Sequence, residues 1–318
     1  MDALPDRPRF AVVGAGAVGC YYGGRLAQHG HDVHWLLRSD YDHVRQHGME
    51  IHSKDGDFIL KPSALNLYHR PQEMPKADVV LVTLKTTTNN RFQELITPLL
   101  HDQTAILTLQ NGLGNEQQLA DLFGPSRILG GLAFVCINRT APGHIRHTDY
   151  GMIKIGEFGR PISQRLRQID TMFNASKVEC HMLDDLNMGR WEKLIWNVPF
   201  NGLGAALALT TDKIINHPAG LELARQLMDE VIRTAHAAGF NLDATLLELN
   251  IRRTLTMGAY RSSMQIDRES GRAIELDAII GNPLRTAQKL GVSTPRLQML
   301  YALLSMQEAT PAPHQAVG

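Results

Sequence analysis

The chain lacks several features that would assign it to a class of function. Over 318 residues, 32 lysines and arginines balance 32 aspartates and glutamates. A balanced charge gives no general attraction to nucleic acid or to an anionic membrane surface. No apolar run approaches the roughly 20 residues that span a bilayer, and Met1–Pro5 lacks the basic start and apolar segment of a signal peptide. We therefore expect a cytoplasmic protein that binds neither nucleic acid nor membrane.

Cysteine is also scarce, and the histidines form no complete metal-binding set. The three cysteines are far apart and include no C-x-x-C pair: Cys20, Cys136 and Cys180. Such a pattern is typical of a reducing compartment and argues against a zinc site. Two histidine pairs, His43/His47 and His144/His147, have ligand-like spacing, but neither has a third partner nearby in the sequence. We interpret them as solvated surface residues and expect no metal.

The most informative feature that is present is a glycine-rich turn after an apolar run. Phe10–Val13 is typical of a buried strand, and Gly14, Gly16 and Gly19 follow it as G-x-G-x-x-G. Gly14 permits a tight turn, Gly16 lets the backbone approach phosphates, and Gly19 lets the next helix pack closely on the strand. The positive end of that helix faces the anion. The turn predicts a dinucleotide site, the alternative being a glycine-rich turn without a ligand. Its residues are Gly14, Ala15, Gly16, Ala17, Val18 and Gly19.

The rest of the first half alternates strand-like and helical segments, which predicts a parallel sheet covered by helices. The further candidate strands are His31–Leu37, Asp78–Leu84, Thr104–Leu109, Ile128–Cys136 and Val178–Cys180. Gly143–Gly156 is interpreted as antiparallel, with a turn between His147 and Met152. From Asp184 onward a helical periodicity takes over. We predict a dinucleotide-binding domain over residues 1–181, a helical catalytic domain over 182–308 and a frayed tail over 309–318.

The residue after the second predicted strand bears on the choice of cofactor. In NAD-specific folds of this kind, an Asp or Glu about 20 residues beyond the glycines binds the ribose hydroxyls. Leu36-Leu37-Arg38-Ser39 occupies that place and holds no carboxylate. A guanidinium suits a bidentate bond to a 2′-phosphate. Arg38 therefore predicts a preference for NADPH, and the alternative is a surface arginine at a strand end.

A polar row crosses the otherwise apolar segment 190–202. Lys193, Asn197 and Asn201 are spaced at i, i+4 and i+8, so they share one face of a helix. An unpaired buried polar group costs about 1–3 kcal/mol, so this row needs partners or a ligand. It can donate a proton and bind a carbonyl and a hydroxyl, or it can form a structural hydrogen-bond row between helices. Pro199 predicts a kink or a new helix start between the two asparagines.

A second candidate pair lies downstream. Ser263 and Glu275 are twelve residues apart and separated by Gly271, which places them on different elements. A serine hydroxyl can bind a substrate carboxylate, and a glutamate can bind a substrate hydroxyl or a catalytic amine. By themselves the two residues form no motif, and a solvated helix and loop are the default interpretation.

Taken in chain order, these residues resemble the ketopantoate reductase (2-dehydropantoate 2-reductase) family. The resemblance runs from Gly14 to about Pro295. Its markers are the Gly14/Gly16/Gly19 turn, Arg38, Val82–Lys85, Gln110–Gly114, Lys193 and Leu194 with Asn197 and Asn201, Ser262–Met264 and Glu275–Asp277. The resemblance implies a Rossmann-type N-terminal domain with a mainly parallel sheet, an all-α C-terminal domain and an active-site cleft between them.

The resemblance also implies a reaction, the NADPH-dependent reduction of 2-dehydropantoate to (R)-pantoate, a step of pantothenate and coenzyme A biosynthesis. Lys193 would donate the proton to the ketone oxygen and Glu275 would assist it. An ordinary lysine, with a pKa near 10.4, is protonated at neutral pH and stabilises the developing alkoxide. The residues implied to hold the small 2-oxo acid are Lys193, Asn197, Asn201 and Ser263. Those implied to contact the cofactor beyond the glycine turn and Arg38 are Lys85, Asn111 and the backbone of Cys136.

Three positions depart from the family pattern where asparagines are expected, namely Tyr260, Thr211 and Ile280. They leave the reductase chemistry intact but keep open a second interpretation, a reductase of a different 2-oxo acid. A third is a protein that senses NADPH without turnover, although a sensor needs no acid beside the nicotinamide. The apolar helices after residue 219 suit an intrachain core and a dimer interface equally well, and we lean slightly to a homodimer.

Overall fold

The computed structural model describes residues 3–309, so the predicted tail lies outside the described residues except for Ala309, which ends a helix. By their internal contacts the residues form two compact units. Unit 1 holds the chain up to Gln110 together with Asn115–Leu186, and unit 2 holds Asn111–Gly114 together with the chain from Asn187 onward. The contacts thus divide the chain five residues after the boundary predicted at 181/182. Assignment of Asn111–Gly114 to unit 2 has no signal in the sequence.

Unit 1 is an α/β unit built on one sheet. Its strands are β1 (Arg9–Val13), β2 (Asp32–Leu36), β3 (Met49–Ser53), β4 (Phe58–Leu60), β5 (Asn66–Tyr68), β6 (Val79–Val82), β7 (Ala105–Thr108), β8 (Ile128–Ala141), β9 (His144–Glu157) and β10 (Cys180–Met182). Its helices are α1 (Ala17–Gln28), α2 (Tyr41–His47), α3 (Phe92–Ile96), α4 (Asn115–Phe123) and α5 (Gln164–Ala175). The two core clusters of this unit are made largely of side chains from the buried strands.

The strand order places the glycine turn at the switch point of the sheet. The order is β4-β3-β9-β8-β7-β6-β1-β2-β5, with β10 paired to β9. Strand β1 pairs in parallel with β2 on one side and with β6 on the other. In an open parallel sheet, ligands bind beyond the carboxyl ends of the strands at such a reversal of order. Only β3–β4 and β8–β9 among the described strand pairs are antiparallel, so the mainly parallel prediction is confirmed.

Two local predictions in unit 1 were wrong. Residues 144–157 form one continuous strand, β9, without the turn expected after His147. Its antiparallel partner is the equally long β8, and irregular pairing near Phe134, Cys136 and Arg139 absorbs the bends of the hairpin. The last strand of the unit is Cys180–Met182, two residues later than predicted, because its register on β9 begins at Cys180 opposite Ile153.

Unit 2 is helical throughout the part of it that the structure describes. Its helices are α6 (Leu186–Leu207, which begins in the last residue of unit 1), α7 (Thr211–Ile215), α8 (Pro218–Ala237), α9 (Leu246–Met257), α10 (Ser263–Glu269), α11 (Asn282–Lys289) and α12 (Pro295–Ala309). A π-helical turn, Asp277–Gly281, leads into α11. One apolar core cluster unites α6 with the helices that surround it. None of the described helices combines the length and apolar character needed to cross a bilayer.

Helix α6 continues through Pro199. The expectation that a second helix begins at this proline is therefore wrong. Proline removes one donor and leaves the carbonyl four residues earlier, that of Ile195, without its helical partner. Ile195 and Phe200 are both fully buried in the core of unit 2. We attribute the persistence of the helix to this packing, which keeps Lys193, Asn197 and Asn201 on a single helix.

Candidate active site

The glycine turn after β1 is fixed against the end of β6. Gly14 has φ of +104°, and an added Cβ would lie 2.4 Å from the backbone nitrogen of Leu84, so a side chain is excluded on both grounds. The Thr83 hydroxyl donates to the Gly14 carbonyl at 2.7 Å, and the Thr83 N–H donates to Val13 at 2.9 Å. The Val82–Lys85 segment therefore holds the glycine turn in place, which explains why these residues accompany the turn in the family pattern.

The other two glycines differ in the space around them. An added Cβ at Gly19 would lie 2.5 Å from the Thr83 hydroxyl and 2.6 Å from the Gly14 carbonyl, so close packing requires glycine there. At Gly16 an added Cβ would meet only the Gly14 carbonyl, at 4.0 Å. No side chain caps the start of α1, whose first N–H groups have no helical partners. An open approach to uncapped backbone donors fits a pyrophosphate.

Arg38 lies two residues beyond β2 and is exposed. Within residues 3–309 it forms no hydrogen bond or ion pair, so its guanidinium is available to a ligand. The nearest following carboxylate, that of Asp40, is buried and accepts from Ser39 and Arg139. Asp40 is therefore not available to ribose hydroxyls. These residues fit a 2′-phosphate better than a free ribose.

The two remaining unit 1 positions predicted to contact the cofactor differ in exposure. Lys85 is exposed three residues after β6, and its carbonyl accepts from the Thr88 N–H at 3.0 Å and hydroxyl at 2.8 Å. Cys136 is buried on β8, opposite Asp149, and its carbonyl accepts from Thr148 at 3.3 Å. Burial raises the pKa of another thiol, that of Cys20, to about 12. The cofactor roles of Lys85 and Cys136 stay predictions.

In unit 2, Lys193 and Asn111 meet although they are 82 positions apart in the chain. Lys193 Nζ donates to Asn111 Oδ1 at 2.8 Å. Asn111 follows β7 closely in the chain, yet it belongs to unit 2 because the short segment 111–114 is bound there. Sequence analysis named both residues as functional without predicting this contact.

Segment 111–114 is fixed to the π-helical turn and the start of α11. The Leu113 N–H donates to the Ala278 carbonyl at 2.8 Å, and Asn282 Nδ2 donates to the Leu113 carbonyl at 2.6 Å. Gly112, with φ of +85°, approaches so closely that an added Cβ would lie 2.3 Å from the Ala278 oxygen. Asn282 is therefore a positioning residue for Asn111 that sequence reasoning missed, although its carboxamide lay just after the Glu275–Asp277 marker.

The environment of Lys193 lowers the pKa of its ammonium to about 7. Burial is the largest cause, the positive charge of Arg190 adds to it, and the negative charge of Glu275 opposes it. Arg190 and Glu275 are themselves buried. A pKa near neutrality is the value that suits a general acid or base in a cell. The sequence predicts the unperturbed lysine pKa near 10.4 for this amine, and the surroundings of Lys193 in the structure lower it. Sequence reasoning also missed Arg190 as a source of charge, although its position one helical turn before Lys193 was a usable signal.

Asn197 and Asn201 are both buried on α6, at 5% and 3% exposure. Asn201 Oδ1 accepts from the Ser263 hydroxyl at 3.3 Å and from the Met264 N–H at 3.4 Å, so the row contacts the start of α10. Asn197 forms no hydrogen bond with any residue that the structure describes. Its carboxamide atoms are not among the enclosed polar atoms of the described residues that lack a partner, so they are open to water or to a small ligand.

The three departures from the family pattern have structural surroundings of their own. Thr211 is buried and donates to the Gly258 carbonyl at 2.9 Å, while the Tyr260 N–H donates to its hydroxyl at 3.2 Å. Ile280 is fully buried, and its Cδ1 lies 3.1 Å from the position of an added Cβ on Gly202. Thr211 thus closes the loop before α10, and Ile280 belongs to the core. Tyr260 is half-buried, with its ring 6.3 Å from that of Trp196.

The histidine pairs form no metal site among residues 3–309. His43 and His47 lie with ring centroids 4.7 Å apart, and His144 lies 5.8 Å from His43. His147 is buried instead of solvated, which corrects the sequence interpretation. Its Nδ1 accepts from Ser53 at 2.9 Å, and its Nε2 faces backbone carbonyls. Burial lowers the pKa of this imidazole, so it serves as a neutral structural residue.

Comparison with known proteins agrees with this architecture over both units. The family model described as ketopantoate reductase PanE/ApbA matches residues 10–160, and the model of its C-terminal domain matches residues 169–308. A 2-dehydropantoate 2-reductase of Nostoc sp. is 41% identical over 298 residues, covering 92% of this chain and 93% of the relative. The chain belongs to the ketopantoate reductase family.

Solved structures of the ketopantoate reductase family support the fold assignment. The 2-dehydropantoate 2-reductase of Geobacter metallireducens superposes with a TM-score of 0.92 at 44% identity, covering 94% of this chain and 99% of that one. The enzyme of Methylococcus capsulatus gives 0.88 at 31% identity, covering 96% and 99%. The chain is therefore an oxidoreductase of this family, with a Rossmann-type N-terminal unit and a helical C-terminal unit.

Proposed function

We propose that this chain reduces 2-dehydropantoate to (R)-pantoate with NADPH, a step of pantothenate biosynthesis. The observation that carries the proposal is the placement of Lys193, whose Nζ donates to Asn111 Oδ1 at 2.8 Å, on the same helix as the carboxamides of Asn197 and Asn201. A lysine whose pKa is lowered by burial, on a helix with carboxamides that can bind a polar substrate, suits the conversion of a ketone into an alcohol.

Lys193 acts as the proton donor in this proposal. Bound NADPH would supply the hydride that reduces the ketone carbon, which leaves negative charge on the carbonyl oxygen. Lys193 Nζ stabilises that oxygen and gives it a proton, leaving a neutral amine. Asn111 Oδ1 accepts one of the N–H groups of Lys193 and so orients the amine. Glu275 favours the protonated amine, and it therefore assists recharging by a proton from solvent.

The substrate is held by the row on α6 and by the start of α10. Asn197 supplies a carboxamide that no described residue occupies. Asn201 holds the Ser263 hydroxyl through Oδ1, which leaves its Nδ2 for the substrate. We assign the carboxylate and hydroxyl groups of 2-dehydropantoate to these three side chains. Thr211 and Ile280 are engaged in the loop and the core, which favours the ordinary substrate over another 2-oxo acid.

Residues of unit 1 supply the phosphate contacts of the proposed cofactor site. The Gly14–Gly19 turn offers uncapped backbone donors to the pyrophosphate, and Arg38 offers its guanidinium to the 2′-phosphate. Lys85 and the backbone of Cys136 complete the proposed contacts. The homodimer stays a prediction, which sedimentation of the purified chain measures directly.

The test follows NADPH absorbance with 2-dehydropantoate and with a panel of other 2-oxo acids. Turnover that is fastest with 2-dehydropantoate supports the proposal. Faster turnover with another acid would replace the substrate, and tight NADPH binding without any turnover would identify a sensor. NADH in parallel assays, with the variant Arg38→Ala, tests the cofactor preference, since a variant that keeps its discrimination would refute the role of Arg38.

A further inference from the structure

A second arginine lies beside the end of β2, where Arg38 is found. Arg139, near the end of β8, is 99 positions from Asp40 in the chain, yet its Nη1 lies 2.5 Å from Asp40 Oδ1 and 3.4 Å from the Ser39 hydroxyl. Ser39 directly follows Arg38 in the sequence. The β8–β9 hairpin therefore brings a cation to the strand end that reads the adenosine ribose in this fold.

The carboxylate of Asp40 holds Arg139 in place and is itself satisfied. Its side chain is 5% exposed and accepts from Ser39 at 2.8 Å and from the Gly143 N–H at 3.3 Å, besides Arg139. A guanidinium has five N–H donors, and the contacts of Arg139 with described residues use only Nη1. With 42% of its side chain exposed, Arg139 keeps Nε and Nη2 for a ligand.

The position of Arg139 also relates to the pyrophosphate helix. The positive charge of Arg139 lowers the pKa of Cys20, in the first turn of α1, against the larger raising effects of burial and Asp40. Arg139 thus acts electrostatically on the start of α1 while it contacts the residue after Arg38. Phosphate groups of a dinucleotide lie along this path between the helix start and the end of β2.

We propose that Arg139 is a second specificity-determining residue, which together with Arg38 and the Ser39 hydroxyl binds the 2′-phosphate of NADPH. The inference rests on the proposed use of NADPH. Each guanidinium can make planar bidentate contacts with a phosphate, so two arginines would bind the 2′-phosphate more tightly than one exposed arginine. Asp40 acts as the positioning residue, because it fixes the Arg139 fork without leaving an unpaired carboxylate to repel the phosphate.

The test measures binding of 2′,5′-ADP and of 5′-AMP by calorimetry, without turnover. Arg139→Ala is expected to weaken 2′,5′-ADP by about tenfold, the loss of a charge-assisted contact, and to leave 5′-AMP within about twofold. Arg139→Lys keeps the positive charge but loses the planar guanidinium, so its affinity for 2′,5′-ADP should lie between those of the wild type and Arg139→Ala. Arg146→Ala, an exposed arginine on the paired strand opposite Asn138, is the matched control and should change neither ligand.

A merely structural arginine would give another pattern. If Arg139→Ala weakens both ligands equally, or neither, the proposal is overturned, whatever the melting temperature of the variant. A wild-type chain that binds 2′,5′-ADP no better than 5′-AMP would overturn the NADPH assignment itself. A third outcome is a wild-type preference for 2′,5′-ADP over 5′-AMP that Arg38→Ala removes and Arg139→Ala does not. That result would refute the role of Arg139 and leave the NADPH assignment standing. The Arg139 contribution should also shrink as salt is raised, since exposed charges are screened.

Discussion

Lys193 donates a 2.8 Å hydrogen bond to Asn111, a residue that follows a strand of one unit and is bound within the other. The chain leaves unit 1 after Gln110 and re-enters it at Asn115. In between, Leu113 is tied to Ala278 and Asn282. The orientation of the proposed proton donor therefore depends on a four-residue segment that the helical unit holds by its backbone.

Replacing Lys193 by Ala should remove the proton donor and leave the cofactor site intact. We expect kcat for reduction of 2-dehydropantoate to fall by about 10²- to 10⁴-fold, the usual contribution of a general acid. The dissociation constant of NADPH, measured by nicotinamide fluorescence, should change little. Lys213→Ala, an exposed lysine on α7, is the control and should keep full activity. Turnover like that of the wild type in the Lys193 variant would remove this residue from the mechanism.

The pH profile should report the depressed pKa of Lys193. Reduction needs the protonated amine, so kcat/KM should be level below about pH 7 and fall as pH rises through the pKa of about 7. Oxidation of pantoate needs the neutral amine and should rise over the same range. A level profile up to pH 9 in the reducing direction would contradict the assignment, because it would mean an ordinary lysine.

Two charge-neutralising variants should move that profile in opposite directions. Glu275 raises and Arg190 lowers the pKa of Lys193. Glu275→Gln should therefore shift the fall in kcat/KM to lower pH, and Arg190→Gln should shift it to higher pH. The midpoint is the quantity to compare, since both substitutions also reduce the absolute rate. Shifts of the same sign would show that the titrating group is not Lys193.

Two glycines of the turn should separate binding from folding. Gly16 has extended backbone angles, and an added Cβ would meet only the Gly14 carbonyl. The variant Gly16→Val should therefore melt at the wild-type temperature. It should bind NADPH roughly tenfold or more weakly, because the valine side chain fills the approach to the phosphates. Gly19→Ala forces a Cβ against Thr83 and should lose about 1–3 kcal/mol of stability. Thermal melting with and without NADPH distinguishes the two. Equal effects on stability would refute the division of roles.

Much of unit 1 follows from the sequence because its signals are local. The apolar run before Gly14, the spacing of the three glycines and the arginine after β2 are each set by neighbouring residues. The continuous β9 was missed because Gly151, with φ of +126°, is typical of a turn, whereas the structure accommodates it as an irregularity in the pairing of β9 with the neighbouring β8. The helix break predicted at Pro199 was also wrong, because the core packing that keeps α6 continuous comes from other helices and has no local signal.

The contacts of the candidate site were less predictable, because they join residues far apart in the chain. Spacing alone placed Lys193, Asn197 and Asn201 on one face, and the structure keeps them on one helix. The bond to Asn111 spans 82 positions, and no periodicity reports it. The pKa of Lys193 depends on burial and on Arg190, which becomes informative only once the helix has been packed.

Asn197 should show opposite effects on stability and on substrate binding when it becomes leucine. Its side chain is 5% exposed and bonds to no described residue, and its carboxamide atoms are not enclosed, so leucine loses no hydrogen bond within the protein and adds apolar contact. Asn197→Leu, similar in size and apolar, should therefore raise the free energy of unfolding by about 1 kcal/mol. The same variant loses a contact to the substrate, so KM for 2-dehydropantoate should rise about 10- to 100-fold, the loss of a hydrogen bond to a charged group. Denaturant unfolding and steady-state kinetics give the two numbers. A destabilised variant with an unchanged KM would mean that Asn197 belongs to the core and not to the site.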